Sequence, residues 1–450
     1  MISAIAALGG LLFGYDWVVI GGAKPFYESY FQLNSPHLVG WANSCALVGC
    51  FAGSVISGWI SDHFGRKKLL LLSAVLFAIS SVLTGWAYTF TVFITWRIIG
   101  GVAIGIASNV SPTYIAELSP APWRGRLVTL NQLTIVVGIL AAQIVNWLIA
   151  DKVADSATSA LIRMSWNGQY GWRWMFTAVA LPAVIFFAGA ILIPESPRWL
   201  AKAEFAEQAR RTLARIGGER YASQALGDIQ TALGSEQQSG AEWRELLSRG
   251  VLRVVLIGVV LAVLQQWSGI NIIFNYAEEI YRGAGYGVSS TLFNIVITGT
   301  INLVFTVVAL GLVDHFGRRT LMIFGCVAIA LSHTVLGFTY RAGAKGFPIL
   351  VITLSTIAFY ALSLAPVTWV LISEIFPNRI RGLAVSISVS ALWIASFVLT
   401  FTFPFLNGEV GPAGTFWVYG AICLCGFFFV LLRVPETKGK TLEQIESNLK

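Results

Sequence analysis

The stretch FGYDWVVIGG, residues 13–22, sets a single carboxylate, Asp16, among aliphatic, aromatic and glycine residues. Beside Asp16, only Arg97 and His333 are ionisable and lie far from the ends of the apolar segments. An isolated acid in such surroundings is costly, so it needs a partner or a water-filled cavity. If segment 2–22 runs outward, Asp16 lies roughly six residues, or ~9 Å, below its outer boundary. A segment running inward from about residue 92 sets Arg97 at nearly the same depth. An opposite charge favours the ionised acid and burial favours the neutral one, so motion that separates the two groups can load or release a proton. A permanent ion pair that only joins two helices is the alternative. Amides are the other resource: Gln132, Gln143, Gln265, Gln266, Asn271, Asn275, Asn294 and Asn302. Each offers an acceptor and two donors, matching a hydroxyl that both gives and takes a hydrogen bond. Trp369 and Trp393 add flat apolar faces. With no further charge in these segments, the pattern points to an uncharged, hydroxyl-bearing cargo, with interhelical bonding as the competing use of the amides.

These residues need apolar elements to carry them. Of 450 residues, 56% are hydrophobic and 12% charged, and the mean hydropathy is +0.73. That composition is too apolar for a soluble domain of this length. Twelve segments are long enough to cross a bilayer as helices: 2–22, 38–60, 69–90, 92–115, 127–149, 172–193, 251–276, 289–313, 320–340, 347–372, 383–406 and 414–433. The short alternating segments of a β-barrel are absent. The first segment has neither a basic leader nor a clear small-residue cleavage site, so it is expected to remain as a helix. All five cysteines fall inside apolar segments without metal-ligand spacing and read as packing residues. The net charge of +8 does not indicate nucleic-acid binding, because the basic residues cluster in alternate connections (66–68, 124–126, 198–253, 318–319, 379–381 and 433–450). That bias places both termini in the cytoplasm.

The sequence repeats itself. DHFGRK at Asp62 returns as DHFGRR at Asp314; ELSPAPWRGR at Glu117 returns as EIFPNRIRGL at Glu374; PESPRWL at Pro194 is answered by PETKGKTL at Pro435. Three motif pairs in the same order imply a parallel duplication of a six-helix unit. The expected organisation is an N-terminal bundle over 1–197, a cytoplasmic helical linker over 198–250, a C-terminal bundle over 251–433 and a cytoplasmic tail over 434–450. Ser196 and Pro197 supply the N-cap and first turn of the linker helix, whose basic surface suits lipid headgroups. Asp62, Arg66, Glu117 and Arg124, with their counterparts Asp314, Arg318, Glu374 and Arg381, sit at helix ends. They can pair across a closed cytoplasmic face as a state-dependent latch, or merely anchor helix ends.

DHFGRK, DHFGRR, YIAELSPAPWRGRL, PESPRWL, LQQWSGINIIFNY, WVLISEIFP and VPETKGKTLEQIE together resemble the sugar porter family of the major facilitator superfamily, near the bacterial proton-sugar symporters of xylose and glucose type. The resemblance spans nearly the whole chain. It implies an all-α membrane protein of twelve helices in two bundles that moves a neutral monosaccharide by alternating access, with the proton as coupling ion and no other cofactor, no metal and no enzymatic step. By resemblance, Gln132, Gln265, Gln266, Asn271, Asn302 and Trp369 line the sugar site, Phe13 and Trp393 stand beside it, and Asp16 and Arg97 occupy neighbouring helices. A bacterial inner membrane is the expected location. Ser268 and Gly269 can loosen the helix that carries Gln265, Gln266 and Asn271, and Pro366 can bend the helix that carries Trp369. Ile139, Asn275 and Leu392 depart from the xylose-type pattern. Ile139 matches facilitative transporters, which keeps a uniporter as a rival; a transporter-like sensor is a second.

Overall fold

The computed structural model describes residues 2–120, 123–154, 157–238, 249–376 and 381–438. Among the described residues, eleven helices are long and apolar enough to cross a membrane: α1 Ile2–Phe31, α2 Pro36–Phe64, α3 Arg66–Gly85, α4 Phe90–Leu118, α5 Gly125–Ile149, α6 Asn167–Leu192, α7 Gly250–Asn275, α8 Val288–Val313, α9 Arg318–Arg341, α10 Phe347–Ile372 and a run over Gly382–Arg433. That last run supplies two crossings, α11 and α12, because Gly411 adopts φ 69° and ψ 174° with Pro412 directly behind it. Such a positive φ suits glycine, and the proline starts the following helix. Twelve crossings result, as the hydropathy predicts.

Glycines let the helices approach closely. A Cβ at Gly49 would strike the backbone of Ile98, and one at Gly101 that of Ala46, so α2 and α4 pack backbone to backbone. Gly14 and Gly138 do the same for α1 and α5. Between the halves, Gly299 of α8 leaves room for the Gln143 side chain of α5, and Gly40 of α2 abuts the Phe401 carbonyl of α11. Small residues at helix contacts are the usual solution where lipid and side chains are equally apolar.

α1 is longer than the sequence suggests. It continues past residue 22 through Lys24, Pro25 and Glu28 to Phe31, and Lys24, expected in an outer connection, is only 1% exposed. The linker forms a short helix, Pro197–Lys202, capped by the Ser196 hydroxyl at 3.3 Å from the Trp199 amide. A longer helical run over Ala206–Gln238 follows, kinked at Gly218. Residues 239–248 of the expected linker and 439–450 of the expected tail lie outside the described residues, as do the side chains of Arg124, Asp314 and Arg381.

Candidate functional site

α7 breaks after Trp267. Gly269 takes the left-handed conformation (φ 84°, ψ −2°) and a short helix, Ile270–Asn275, resumes beyond it. The break places Gln265 and Gln266 on one side and Asn271 on the other, within mutual reach. Gln266 Nε2 donates to Gln265 Oε1 at 2.8 Å, Asn271 Nδ2 donates to Gln266 Oε1 and also lies 3.3 Å from Ser396 Oγ of α11. All three amides are buried. Trp267 fastens the same two helices by donating to the Ala395 carbonyl at 2.9 Å.

One turn earlier on α11, Trp393 meets Phe13 of α1 at 5.9 Å between ring centroids and Trp17 at 5.9 Å. An aromatic cluster from both halves therefore stands beside the amides. The Trp393 indole N–H is buried without a partner, a donor open to a hydroxyl. Gln132 on α5 is half-buried, Asn302 on α8 is buried, and Trp369 on α10 is 36% exposed; none of the three joins the hydrogen bonds just described. α10 is interrupted at Ser363 (φ −129°, ψ −86°), one turn before Pro366, whose missing N–H and ring crowding act on that turn.

Asp16 and Arg97 are each 3% exposed. Arg97 NH1 donates to Asp16 Oδ1 at 3.1 Å, and its guanidinium carbon lies 5.4 Å from the Phe176 ring centroid. The contact is single rather than forked: Asp16 Oδ2 and Arg97 Nε have no partner.

On the opposite face of the molecule the repeated motifs build two equivalent clusters. Arg66 NH2 contacts Glu117 at 3.0 Å, Arg66 NH1 contacts Asp62 at 3.2 Å, and Ser196 Oγ donates to Glu117. Arg318 NH2 contacts Glu374 at 3.4 Å, and Thr437 Oγ1 donates to Glu374 at 2.6 Å. Glu195 accepts the first backbone N–H groups of α3, from Arg66 at 3.0 Å and Lys67 at 3.1 Å. Glu436 does the same for Arg318 at 3.0 Å and Arg319 at 3.1 Å. A carboxylate there satisfies orphan helix N–H groups and the helix dipole together. Gly65 and Gly317, with φ 95° and 86°, turn the chain so that these carboxylates fit where a Cβ would stand.

At the end of α1, away from the repeated motifs, Lys24 is surrounded by acids. Its ammonium lies 3.0 Å from Glu28, 3.7 Å from Glu278, and bonds Glu279. Glu278 also pairs with Arg282 at 3.0 Å. Glu278 and Glu279 follow α7 in the second half, so the cluster joins the halves where Gly21 faces the Phe274 carbonyl.

Residues 2–449 match the family model described as Sugar (and other) transporter. The chain belongs to this sugar transporter family. It is 38% identical over 477 residues to the D-xylose-proton symporter of Escherichia coli (strain K12), covering 99% of this chain and 94% of that protein. It is 38% identical to the arabinose-proton symporter of Bacillus subtilis (strain 168), covering 99% and 94%, and 39% identical to the glucose transport protein of Synechocystis sp., covering 99% and 96%. Among solved structures it is similar to the inward open conformation of the xylose transporter XylE from E. coli, with a TM-score of 0.87, 37% identity, and coverage of 100% of this chain and 99% of that one. The protein is therefore an integral membrane transporter of the major facilitator fold and not an enzyme.

Within this sugar-transporter frame, the sequence reading missed Trp17, Ser396 and the Lys24 cluster. Trp17 was within reach of inspection, since it follows Phe13 by four residues and shares its helix face. Ser396 sits three residues after Trp393 and shares its side of α11 in the same way. Of the Lys24 cluster only Glu28, four residues on, is local; Glu278 and Glu279 lie far along the chain.

Proposed function

We propose that the chain imports a neutral monosaccharide, a hexose or a pentose, together with a proton by alternating access. The observation that carries this reading is the Asp16–Arg97 pair, buried at 3.1 Å with one carboxylate oxygen unpartnered. A buried acid with a cationic neighbour and a free oxygen has the parts of a proton site, and the relatives named as xylose- and arabinose-proton symporters support the coupling. Gln265, Gln266 and Asn271 form the donor and acceptor array for the sugar hydroxyls, with Gln132 and Asn302 opposite and Phe13, Trp369 and Trp393 along the ring. The proton is the coupling ion, and no other cofactor enters. The chain sits in lipid with both termini in the cytoplasm, in a bacterial inner membrane.

A panel of radiolabelled monosaccharides in proteoliposomes, with and without an imposed pH gradient, tests the reading. Accumulation above the external concentration should require the gradient. A facilitative uniporter, which Ile139 keeps as the second reading, would equilibrate the same sugars and never concentrate them. Gln265→Ala should weaken sugar affinity roughly several-fold to tenfold while the protein still folds, since a buried neutral hydrogen bond is worth about 1 kcal/mol; isothermal titration with the best sugar measures it, and an unchanged affinity removes Gln265 from the site.

The cytoplasmic charges act as the inner latch. Arg66–Glu117 and Arg318–Glu374 lie within their own halves here, and the same groups, with Asp62, Arg124, Asp314 and Arg381, face each other when that side closes. Glu117→Gln and Glu374→Gln should therefore favour the form open to the cytoplasm, because only differential pairing moves such an equilibrium. Spin-label distances across the cytoplasmic face measure the populations, and wild-type populations in both variants would leave the charges a purely structural role.

A further inference from the structure

His333 is fully buried in α9 and takes no part in the function described so far. Its Nε2 lies 2.8 Å from the backbone carbonyl of Ser268. In an unbroken α7 that carbonyl would accept the N–H of Ile272. At the break, Ile272 turns instead to the Gly269 carbonyl at 3.2 Å, sharing it with its regular donor Ile273 at 3.4 Å, and the Ser268 carbonyl is left without a helical donor. A buried carbonyl without a good donor costs on the order of 1–3 kcal/mol; the Cys423 thiol of α12 reaches it only as a weak donor at 3.9 Å, so His333, from a different helix, is the strong donor that removes the cost.

The geometry also fixes the tautomer. A carbonyl only accepts, so Nε2 carries the hydrogen. Nδ1 is buried without a partner, which a neutral ring tolerates and an imidazolium, with a second N–H and a charge, does not. The ring is held in place by stacking on Phe416 of α12, 5.6 Å between centroids and 21° between planes, and it borders Tyr419 at 6.1 Å. A Cβ at Gly269 would come within 3.1 Å of Nε2 and 3.0 Å of the Tyr419 ring, so the left-handed glycine and the histidine fit one another.

We propose that His333 is a positioning residue for the sugar site: by holding the Ser268 carbonyl it fixes the break in α7, and with it the placement of Gln265 and Gln266 relative to Asn271. Gln265 stands three residues before Ser268 and Asn271 three after it, so a change in the local turn swings one amide set against the other. Its effect on affinity rests on the sugar-transport reading; its effect on the α7 break does not.

The test uses the full chain in nanodiscs with two substitutions. His333→Phe keeps an aromatic ring to stack on Phe416 but has no donor, whereas His333→Gln discards the ring and can place an amide N–H near the position of Nε2. Hydrogen exchange of the peptide spanning residues 265–276 is followed without sugar, and sugar affinity is measured separately. His333→Phe should exchange faster in this peptide and bind sugar roughly fivefold to tenfold more weakly, as the loss of one buried hydrogen bond implies. His333→Gln should return both readouts to within about twofold of wild type. Wild-type exchange in His333→Phe overturns the proposal. So does equal impairment of both variants, which would mean that ring packing and not the donor holds the break. If His333→Phe fails to fold, His333→Gln decides alone: wild-type exchange supports the proposal and fast exchange overturns it. A wild-type protein that binds no monosaccharide sinks the sugar reading, while the exchange result still judges His333.

Discussion

Asp16→Asn should abolish accumulation of sugar driven by a pH gradient and leave sugar binding and the exchange of internal for external sugar intact. Asparagine keeps an acceptor oxygen for Arg97 NH1, which contacts Asp16 Oδ1 at 3.1 Å, and it nearly matches the aspartate in volume. What it cannot do is take up and release a proton on the unpartnered oxygen. Without an exchangeable proton the conformational cycle still turns over when sugar is bound on either side, so counterflow persists. Net uphill movement has no energy source, and the steady-state concentration ratio should fall to about one from whatever the imposed gradient supports in wild type. Proteoliposomes with a pH gradient and no sugar gradient measure it. A variant that still concentrates sugar under those conditions places the coupling group elsewhere in the chain. Loss of both accumulation and counterflow would show instead that the pair is a structural brace between α1 and α4.

The Asp16–Arg97 pair was legible in two steps: spans alternate in direction, so counting residues from a shared boundary gives matching depth, and the family resemblance puts the two on neighbouring helices. The break in α7 was legible for a local reason: Ser268 and Gly269 interrupt an apolar run, and glycine alone takes the left-handed turn cheaply. The bend in α10 was placed near Pro366, and the backbone breaks at Ser363, on the turn whose hydrogen bond the proline removes. The repeats exposed the charged motifs at the helix ends but not their wiring. Glu117 contacts Arg66, 51 residues away, because the start of α3 lies beside the end of α4; the side chain of Arg124, seven residues on, lies outside the described residues. The acids of PESPRWL and PETKGKTL read as markers of duplication; their work as caps on α3 and α9 depends on the Gly65 and Gly317 turns, which composition does not reveal. His333 was visible only as an odd ionisable residue, since its partner is a backbone carbonyl freed by a break in another helix. The largest miss was the outer end of α1. Hydropathy ends the first segment at residue 22, ahead of Lys24, and two of the three acids that let the helix continue are more than 250 positions downstream.

That miss leads to the second large effect. Lys24→Ala should open the outer face and slow import. Lys24 is 1% exposed, and its ammonium lies among three carboxyl groups, Glu28 of its own helix and Glu278 and Glu279 of the other half. The Tyr276 ring centroid is 5.4 Å away. Removing the cation leaves three carboxyl groups facing each other across the contact between the halves, where burial and the neighbouring acids already push the pKa of Glu279 up to about 8 against the pull of Lys24; those that ionise repel, and those that stay neutral are buried without their cation. Deleting one partner of a buried ion pair costs roughly 3–5 kcal/mol; the Glu279 side chain keeps 28% of its exposure, so water screens part of the repulsion and the lower end applies. About 3 kcal/mol shifts a two-state equilibrium by more than a hundredfold, and the shift is away from the outer-closed arrangement, because opening lets the carboxylates separate and hydrate. Spin labels placed on either side of the outer rim should report a longer distance in Lys24→Ala than in wild type. Sugar uptake at saturating concentration should fall, since each import cycle must pass through the closed rim. Exchanging the charges, with Lys24→Glu combined with Glu279→Lys, should recover part of the wild-type distance, because the attraction between halves returns with its sign reversed at both ends. If the rim distance in Lys24→Ala is that of wild type, the cluster merely neutralises helix ends and the outer closure rests on the glycine contacts at Gly21 and Gly40.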